Sequence, residues 1–252
     1  MASVPLVSFV VPAHNEEALL GRCLASIKAE VAGAGYPCEI IVVNNASTDG
    51  TRDIAASIPG VIVVDEPVKG LVQARRAGYL ASRGRLIANI DADTMLTEGW
   101  LDTALIEFAR VPDLVAVSGP YLYYDISLAS RLTVGLFYRV AFLFYVLVRF
   151  VIRAGSMLQG GNFIVSRKGL NEAGGYNSDF SFYGEDTDLA RRLSKVGVVK
   201  FSFRLRALSS GRRFAHEGLV KVGWRYSVNF LWATFLKRPF TSTWTDLRQD
   251  SL

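Results

Sequence analysis

The chain has 252 residues, half of them apolar and 12 % aromatic, which supplies a sizeable core for one large α/β domain or for a domain with a small appendage. Its formal net charge of +5 suits phosphate-bearing ligands or an anionic membrane surface. Nucleic acid is set aside as a partner, because the basic residues alternate with long apolar stretches instead of forming one polar face.

The first predicted strand is Leu6–Val11, stopped by Pro12. Met1–Val11 lacks the basic segment of a signal peptide. A helix follows from about Glu16, with Leu19, Cys23 and Ile27 at four-residue spacing, and Gly33-Ala34-Gly35 ends it. Glu39–Val43 is the second strand, and Asn44 to Gly50 is a polar turn into a short helix. Val61–Val64 is a strand, Leu71–Ser82 a helix, Leu86–Ile90 a strand and Glu98–Arg110 a helix. Strands and helices alternating at this pitch predict βαβ units on a mostly parallel sheet. Cys23 and Cys38 show no C-x-x-C and no zinc spacing, which predicts reduced thiols in the core.

The mean hydropathy of +0.25 is high for a soluble enzyme, and the run Val134 to Ile152 accounts for much of it. At about 100° per residue, Arg131, Arg139, Arg149 and Arg153 fall within a roughly 80° arc of one helix over residues 131–153. A basic stripe on an aromatic cylinder is the pattern of a helix lying in a membrane interface. The alternative is a helix packed on the sheet with its arginines in solvent. Val220–Arg238, with Trp224, Phe230, Trp232, Phe235, Lys237 and Arg238, repeats the aromatic and basic composition.

The chemistry concentrates where Leu86-Ile87-Ala88-Asn89-Ile90 runs into Asp91-Ala92-Asp93. An apolar run of this length reads as a central parallel strand, and ligands sit outside the carboxyl ends of such strands. Two carboxylates there repel unless a cation or a hydrogen-bond network offsets them. Their oxygens suit a hard cation, Mg2+ or Mn2+, that also holds phosphates. A strand-end aspartate capping the next turn is the other reading. Four further stretches lie at predicted strand or helix ends: Val10 to Glu17; Asn44 to Thr51; Lys69-Gly70 with Arg75 and Arg76; and Gly160-Gly161-Asn162 with Phe182 to Asp186. Lys69 and Arg75 offer cations near a helix start, where phosphates bind. Glu185 and Asp186 open a helix to about Val196, as an acidic cap or as a second functional pair.

Taken in order, Val11-Pro12-Ala13-His14-Asn15-Glu16-Glu17, Asn45 to Thr51, Gly70 with Ala74-Arg75, Asp91-Ala92-Asp93, Gly160-Gly161-Asn162 and Gly184-Glu185-Asp186 resemble the family 2 glycosyltransferases over roughly residues 4 to 200. The resemblance implies a GT-A fold and inverting transfer of a sugar from a nucleotide-diphosphate sugar. It implies that Pro12, Ala13, Asn15 and Glu17 belong to the nucleotide cleft, and that Asn44 and Asn45 face the base. Many members carry aspartate at that turn; an amide still accepts from a base N–H but brings no charge. Asp91, with Ala92, would lie toward the ribose, Asp93 would bind the divalent metal, and Asp186, with Glu185 beside it, would supply the general base. Arg212 and Arg213 resemble the basic segment over the donor diphosphate, and His216 a histidine that completes the metal shell.

The chain is expected to be a single domain, 1–252. Residues 4–118 form the nucleotide-binding half and 119–215 the acceptor and catalytic half, with 216–252 near the membrane. The expected enzyme works on the cytoplasmic inner face of the cell membrane, on a lipid-linked or surface-glycan acceptor. Two rivals stand beside it: a nucleotidyltransferase of related α/β fold, and a non-catalytic nucleotide-sugar-binding protein.

Overall fold

The computed structural model describes residues 4–152, 156–180, 182–238 and 240–241. Its first half alternates as the apolar runs dictate: β1 (Val7–Ala13), α1 (Leu20–Gly33), β2 (Cys38–Asn45), α2 (Thr51–Ser57), β3 (Val61–Glu66), α3 (Leu71–Ala81) and β4 (Leu86–Ile90). Then come β5 (Thr94–Leu96), α4 (Trp100–Arg110), β6 (Leu114–Ser118), β7 (Tyr121–Tyr123) and α5 (Leu128–Val146), which runs on into a π-helical turn, Leu147–Ile152. The chain closes with β8 (Asn162–Ser166), α6 (Arg167–Glu172), α7 (Glu185–Leu193), β9 (Val198–Phe201), β10 (Ala207–Ser209), α8 (Arg212–Glu217) and α9 (Leu219–Leu236).

Seven strands form the main sheet in the order β3-β2-β1-β4-β8-β6-β9, and only β8 runs antiparallel to its neighbours. A small second sheet, β5-β10-β7, lies beside it. Every residue of β1, β4 and β6 is buried, because helices cover both faces of the main sheet. Alternation splits β1 between two cores: Phe9 and Val11 pack with Leu24, Ile27 and Trp100, while Val10 packs with Ile41, Phe163 and Leu189. Strand order reverses between β1 and β4, and a crevice opens beyond their carboxyl ends.

Two predicted boundaries move for clear reasons. β1 continues through Pro12 because its pairing with β4 ends at Val10, so beyond that point it pairs only with β2. The first helix begins at Leu20, not Glu16, and its first turn holds no acidic residue; Glu16 and Glu17 are used elsewhere. The other helices are shorter than expected, with α3 ending at Ala81, α4 starting at Trp100 and α7 ending at Leu193.

The expected arginine stripe is only partly on the surface. Arg131 and Arg139 are exposed, but Arg149 is half-buried and donates to the Val199 carbonyl. The π-helical turn explains the change, since its wider winding breaks the 100° register on which the stripe was drawn. Tyr145 and Ser156 hydroxyls donate to the same carbonyl, so α5 and its extension cover the open edge of β9. Arg153 lies outside the described residues. Among the described residues, Leu128–Val146 is long and apolar enough to cross a membrane by length and composition.

Candidate active site

Everything at the crevice is anchored by one arginine. Arg75, on α3, is 1 % exposed, and its guanidinium reaches Glu185 at the start of α7, Asp91 Oδ1 at 3.2 Å and the Gly160 carbonyl at 2.7 Å. It thereby joins two acidic pairs far apart in the chain. Burial opposes its charge, but the Glu185 and Asp91 carboxylates prevail and raise its pKa. Arg75 is therefore an internal counter-ion, not the exposed phosphate ligand that its place near a helix start predicts.

Around this guanidinium the backbone comes close. A Cβ at Gly160 would lie 3.3 Å from Glu185 Oε1 and 3.5 Å from Asp186 Oδ2. At Gly161 a Cβ would overlap the Asp91 carboxyl and the Tyr121 hydroxyl, so glycine is required by space. Gly184 caps α7 at φ 80, a left-handed conformation that lets the chain enter the helix with both acids in its first turn.

The two acids of that pair differ in environment. Glu185 is buried and tied to Arg75; burial lifts its carboxyl to about 7, Arg75 opposes the rise and Asp186 adds to it. Glu185 thus sits beneath the crevice and not in it. Asp186 is half-buried, and its Oδ1 accepts from the Thr187 backbone N–H at 2.7 Å and hydroxyl at 3.3 Å. Burial raises its pKa as well, against Arg75.

On the other side, Tyr121 donates its hydroxyl to Asp91 Oδ2 at 3.3 Å and fixes that carboxylate from the side opposite Arg75. Burial, followed by Asp91 and Asp93, drives its pKa well up and keeps it a donor. Nothing in the sequence marked this tyrosine: it is one of several in an aromatic stretch. Ala92, between the acids, is buried. Asp93 Oδ2 meets Arg212 Nη2 at 3.0 Å, and the same nitrogen lies 2.5 Å from Oε1 of the buried Glu16. Asp93 and Glu16 together raise the Arg212 pKa despite its desolvation. Arg212 therefore holds carboxylates here, where the resemblance implies phosphate.

Arg213 points into a separate cluster, 2.9 Å from Glu217 and 3.3 Å from the Tyr183 hydroxyl. His216 is exposed on α8. Among the described residues no three His, Cys, Asp or Glu side chains gather around one ion-sized space. The carboxylates of Asp91 and Asp93 are nonetheless hard oxygen donors, and Asp93 already draws a positive charge in Arg212. Such a set fits Mg2+ or Mn2+ completing its shell with a ligand's phosphates.

A groove beside this centre is lined by Pro12, Ala13, His14, Lys69, Leu71 and Phe182. Its floor is braced by residues expected to face a base. Asn45 is buried, donates to the Glu66 and Val68 carbonyls and accepts from Gly70 N–H at 2.7 Å, so it shapes the groove from behind. Asn44 donates to Asp65 at 2.8 Å. Asn15, at φ 50, accepts from Thr48 N–H at 2.8 Å, and Glu17 accepts from Gly50 N–H at 2.8 Å. These bonds lock the loops after β1 and β2 together. His14 Nδ1–H donates to the Asn45 carbonyl at 2.7 Å. Lys69 lies exposed at the groove's rim.

Fold and site together define an α/β protein with a ligand crevice walled by two acidic pairs. The description "Glycosyl transferase family 2" matches residues 8–174, and the chain belongs to that family. Over 109 residues it is 29 % identical to glycosyltransferase AglE of Haloferax volcanii, covering 40 % of this chain and 34 % of that one. It is 40 % identical over 109 residues to an uncharacterized glycosyltransferase of Mycobacterium bovis, covering 43 % of this chain and 46 % of the relative. The matched part thus spans less than half the length of these curated relatives.

Among solved structures, a mannosyltransferase from Pyrobaculum calidifontis in complex with GDP-Man and Mn2+ aligns with TM-score 0.68 at 22 % identity, over 94 % of this chain and 64 % of that one. Glucosyl-3-phosphoglycerate synthase from Mycobacterium tuberculosis, with Mn2+, UDP and phosphoglyceric acid, aligns with TM-score 0.62 at 22 % identity, over 93 % and 78 %. The shared architecture is the GT-A fold.

Proposed function

We propose that this protein is an inverting glycosyltransferase that moves a sugar from a nucleotide-diphosphate sugar to a hydroxyl or phosphate acceptor. The observation that carries the reading is Arg75, which binds Asp91 of one acidic pair and Glu185 of the other and so brings two separate carboxylate functions to one crevice.

The groove from Pro12 to Phe182 receives the nucleoside, with Asn15, Glu17, Asn44 and Asn45 holding its shape. Asp93, with Asp91 turned toward the ribose, would hold a divalent cation. That ion, when bound, neutralises charge developing on the diphosphate leaving group. Arg212 is near enough to the same carboxylates to turn its guanidinium to diphosphate oxygens. Asp186 takes the proton from the acceptor hydroxyl as the new bond forms, and burial, opposed by Arg75, raises its pKa and makes it a stronger base than an exposed aspartate. Inversion needs one such base and no covalent nucleophile, as in glycoside hydrolysis. Tyr121 and Arg75 keep Asp91 in place, and Glu185 keeps Arg75 in place.

The acceptor side lies toward α5 and α9: the Tyr138 hydroxyl of α5 accepts from the Tyr121 N–H at 3.2 Å, and Tyr226 of α9 stands edge-on to Tyr183, just before Glu185 and Asp186, with ring centres 5.8 Å apart. Both helices expose large apolar side chains, among them Leu143 and Trp224. This supports a lipid-linked or surface-glycan acceptor and a peripheral position on the inner membrane face.

The test is a thermal-shift panel of UDP-, GDP- and dTDP-sugars with and without Mn2+. One donor should raise the midpoint only when Mn2+ is present. Saturation at a hundredfold excess over Kd adds about 2.7 kcal/mol, a shift of roughly 5–10 °C. No shift with any donor would remove the reading.

A further inference from the structure

Away from the crevice, a cavity of about 450 Å3 opens between the last turn of α4 and edge strand β9. Three strand spacings separate β9 from β4, about 14 Å, so this cavity is not part of the site described above. Glu107 and Arg110 form one wall; Lys200, Ser202, Phe203 and Arg204 form the other. Lys200 and Glu107 neutralise each other at 2.6 Å, and the Ser202 hydroxyl donates to Glu107 at 3.3 Å. Arg110 and Arg204 are exposed, and among the described residues neither side chain makes an ion pair or hydrogen bond. The cavity therefore keeps two uncompensated positive charges.

Its rim joins the apolar face of α5. Phe203, 38 % exposed, stands edge-on to Phe142 of α5 with ring centres 5.1 Å apart. α5 also exposes large apolar side chains, Leu132 at 68 %, Leu136 at 59 %, Val140 at 52 % and Leu143 at 69 %, with the exposed Arg139 beside them on the same side of the helix. No Asp or Glu occurs between Asp125 and Glu172, while Arg131 and Arg139 stand exposed on this helix. A second copy of the chain would set these like charges against each other. An anionic bilayer complements both the apolar face and the basic cavity.

We propose that the cavity between α4 and β9 binds the phosphate of an anionic phospholipid headgroup, with the outward face of α5 lying among the acyl chains. Arg110 and Arg204 supply the charge-assisted donors, and Phe203 marks the boundary between headgroup and acyl depth. This rests on the membrane-surface reading above and adds to it a lipid preference and a place where that preference is read.

The test is flotation of the full chain with vesicles of phosphatidylcholine alone and of phosphatidylcholine mixed with phosphatidylglycerol. Wild type, Arg110→Gln/Arg204→Gln, Leu136→Ser/Leu143→Ser and a charge-matched control, Arg76→Gln/Arg85→Gln, are compared. Each is first checked for a wild-type melting midpoint. Wild type should prefer the anionic vesicles. Two juxtamembrane arginines are worth about 30-fold in partitioning, so the cavity variant should lose about that preference and bind neutral vesicles as wild type does. The control should stay within a few-fold of wild type, and the leucine variant should lose binding to both vesicles. If the cavity variant keeps the anionic preference, or the control loses as much, the headgroup site is wrong while the membrane reading stands. If wild type floats with neither vesicle, the membrane reading itself fails.

Discussion

Replacing Arg75 by methionine keeps much of its bulk and removes the charge that joins the two acidic pairs. Glu185, 6 % exposed, then loses its cationic partner, and Asp91 and the Gly160 carbonyl lose a donor. Removing one member of a buried ion pair costs about 3–5 kcal/mol, mostly because the other charge stays buried and unpaired. For a chain of this size each kcal/mol moves the melting midpoint by roughly 2–4 °C, so Arg75→Met should melt about 6–20 °C below wild type. Glu185→Gln in the same chain removes the stranded charge. The double variant should therefore be more stable than the sum of the two single losses predicts, with a coupling of about 1–3 kcal/mol. Urea unfolding at about pH 8.5, above the Glu185 pKa of about 7, so that the wild-type carboxylate is ionised, measures the cycle for all four proteins. An Arg75→Met protein within about 1 kcal/mol of wild type, or strict additivity, would refute the role given to this guanidinium.

Two further outcomes follow from the same contacts. Glu185 is held at about 7 by burial, and a carboxyl raised on folding favours the native state while protonated. Its contribution is therefore complete in acid and lost as pH climbs through about 7, and Glu185→Gln should flatten that part of the urea-midpoint profile. Arg212→Ala frees Asp93 and Glu16 of their competing cation. Mn2+ alone should then bind about tenfold more tightly by electron paramagnetic resonance, and a nucleoside diphosphate about tenfold more weakly, as expected for one charge-assisted hydrogen bond.

The first half of the fold was legible because β1, β2 and β4 are buried on both faces and read as apolar runs, with edge strand β3 marked by its own short run Val61–Val64. β5, β7 and β10, of three residues each, are too short to show a period, and antiparallel β8 lies beyond the strictly alternating half. The crevice was legible for a topological reason: Asp91 and Asp93 follow a central strand, and ligands gather at such ends. Side-chain roles were less so. Arg75 meets a partner 110 positions away and Arg212 one 196 away, and no local pattern encodes such pairs. Asn45 carries the polarity expected of a base reader yet spends it on the backbone after β3. Arg149 left its predicted face because the helix changes its winding just before it.

The division of labour between the two acidic pairs is tested most directly by comparing Asp93→Asn with Asp186→Asn, measuring donor binding by calorimetry with Mn2+ and turnover of the donor in parallel. Asp93→Asn should lose the Mn2+-dependent part of donor binding. Asp186→Asn should bind donor as wild type does and turn it over about 10²–10⁴-fold more slowly, the usual contribution of a positioned base. Wild-type turnover in Asp186→Asn, or an equal loss of donor binding in both variants, would contradict the account.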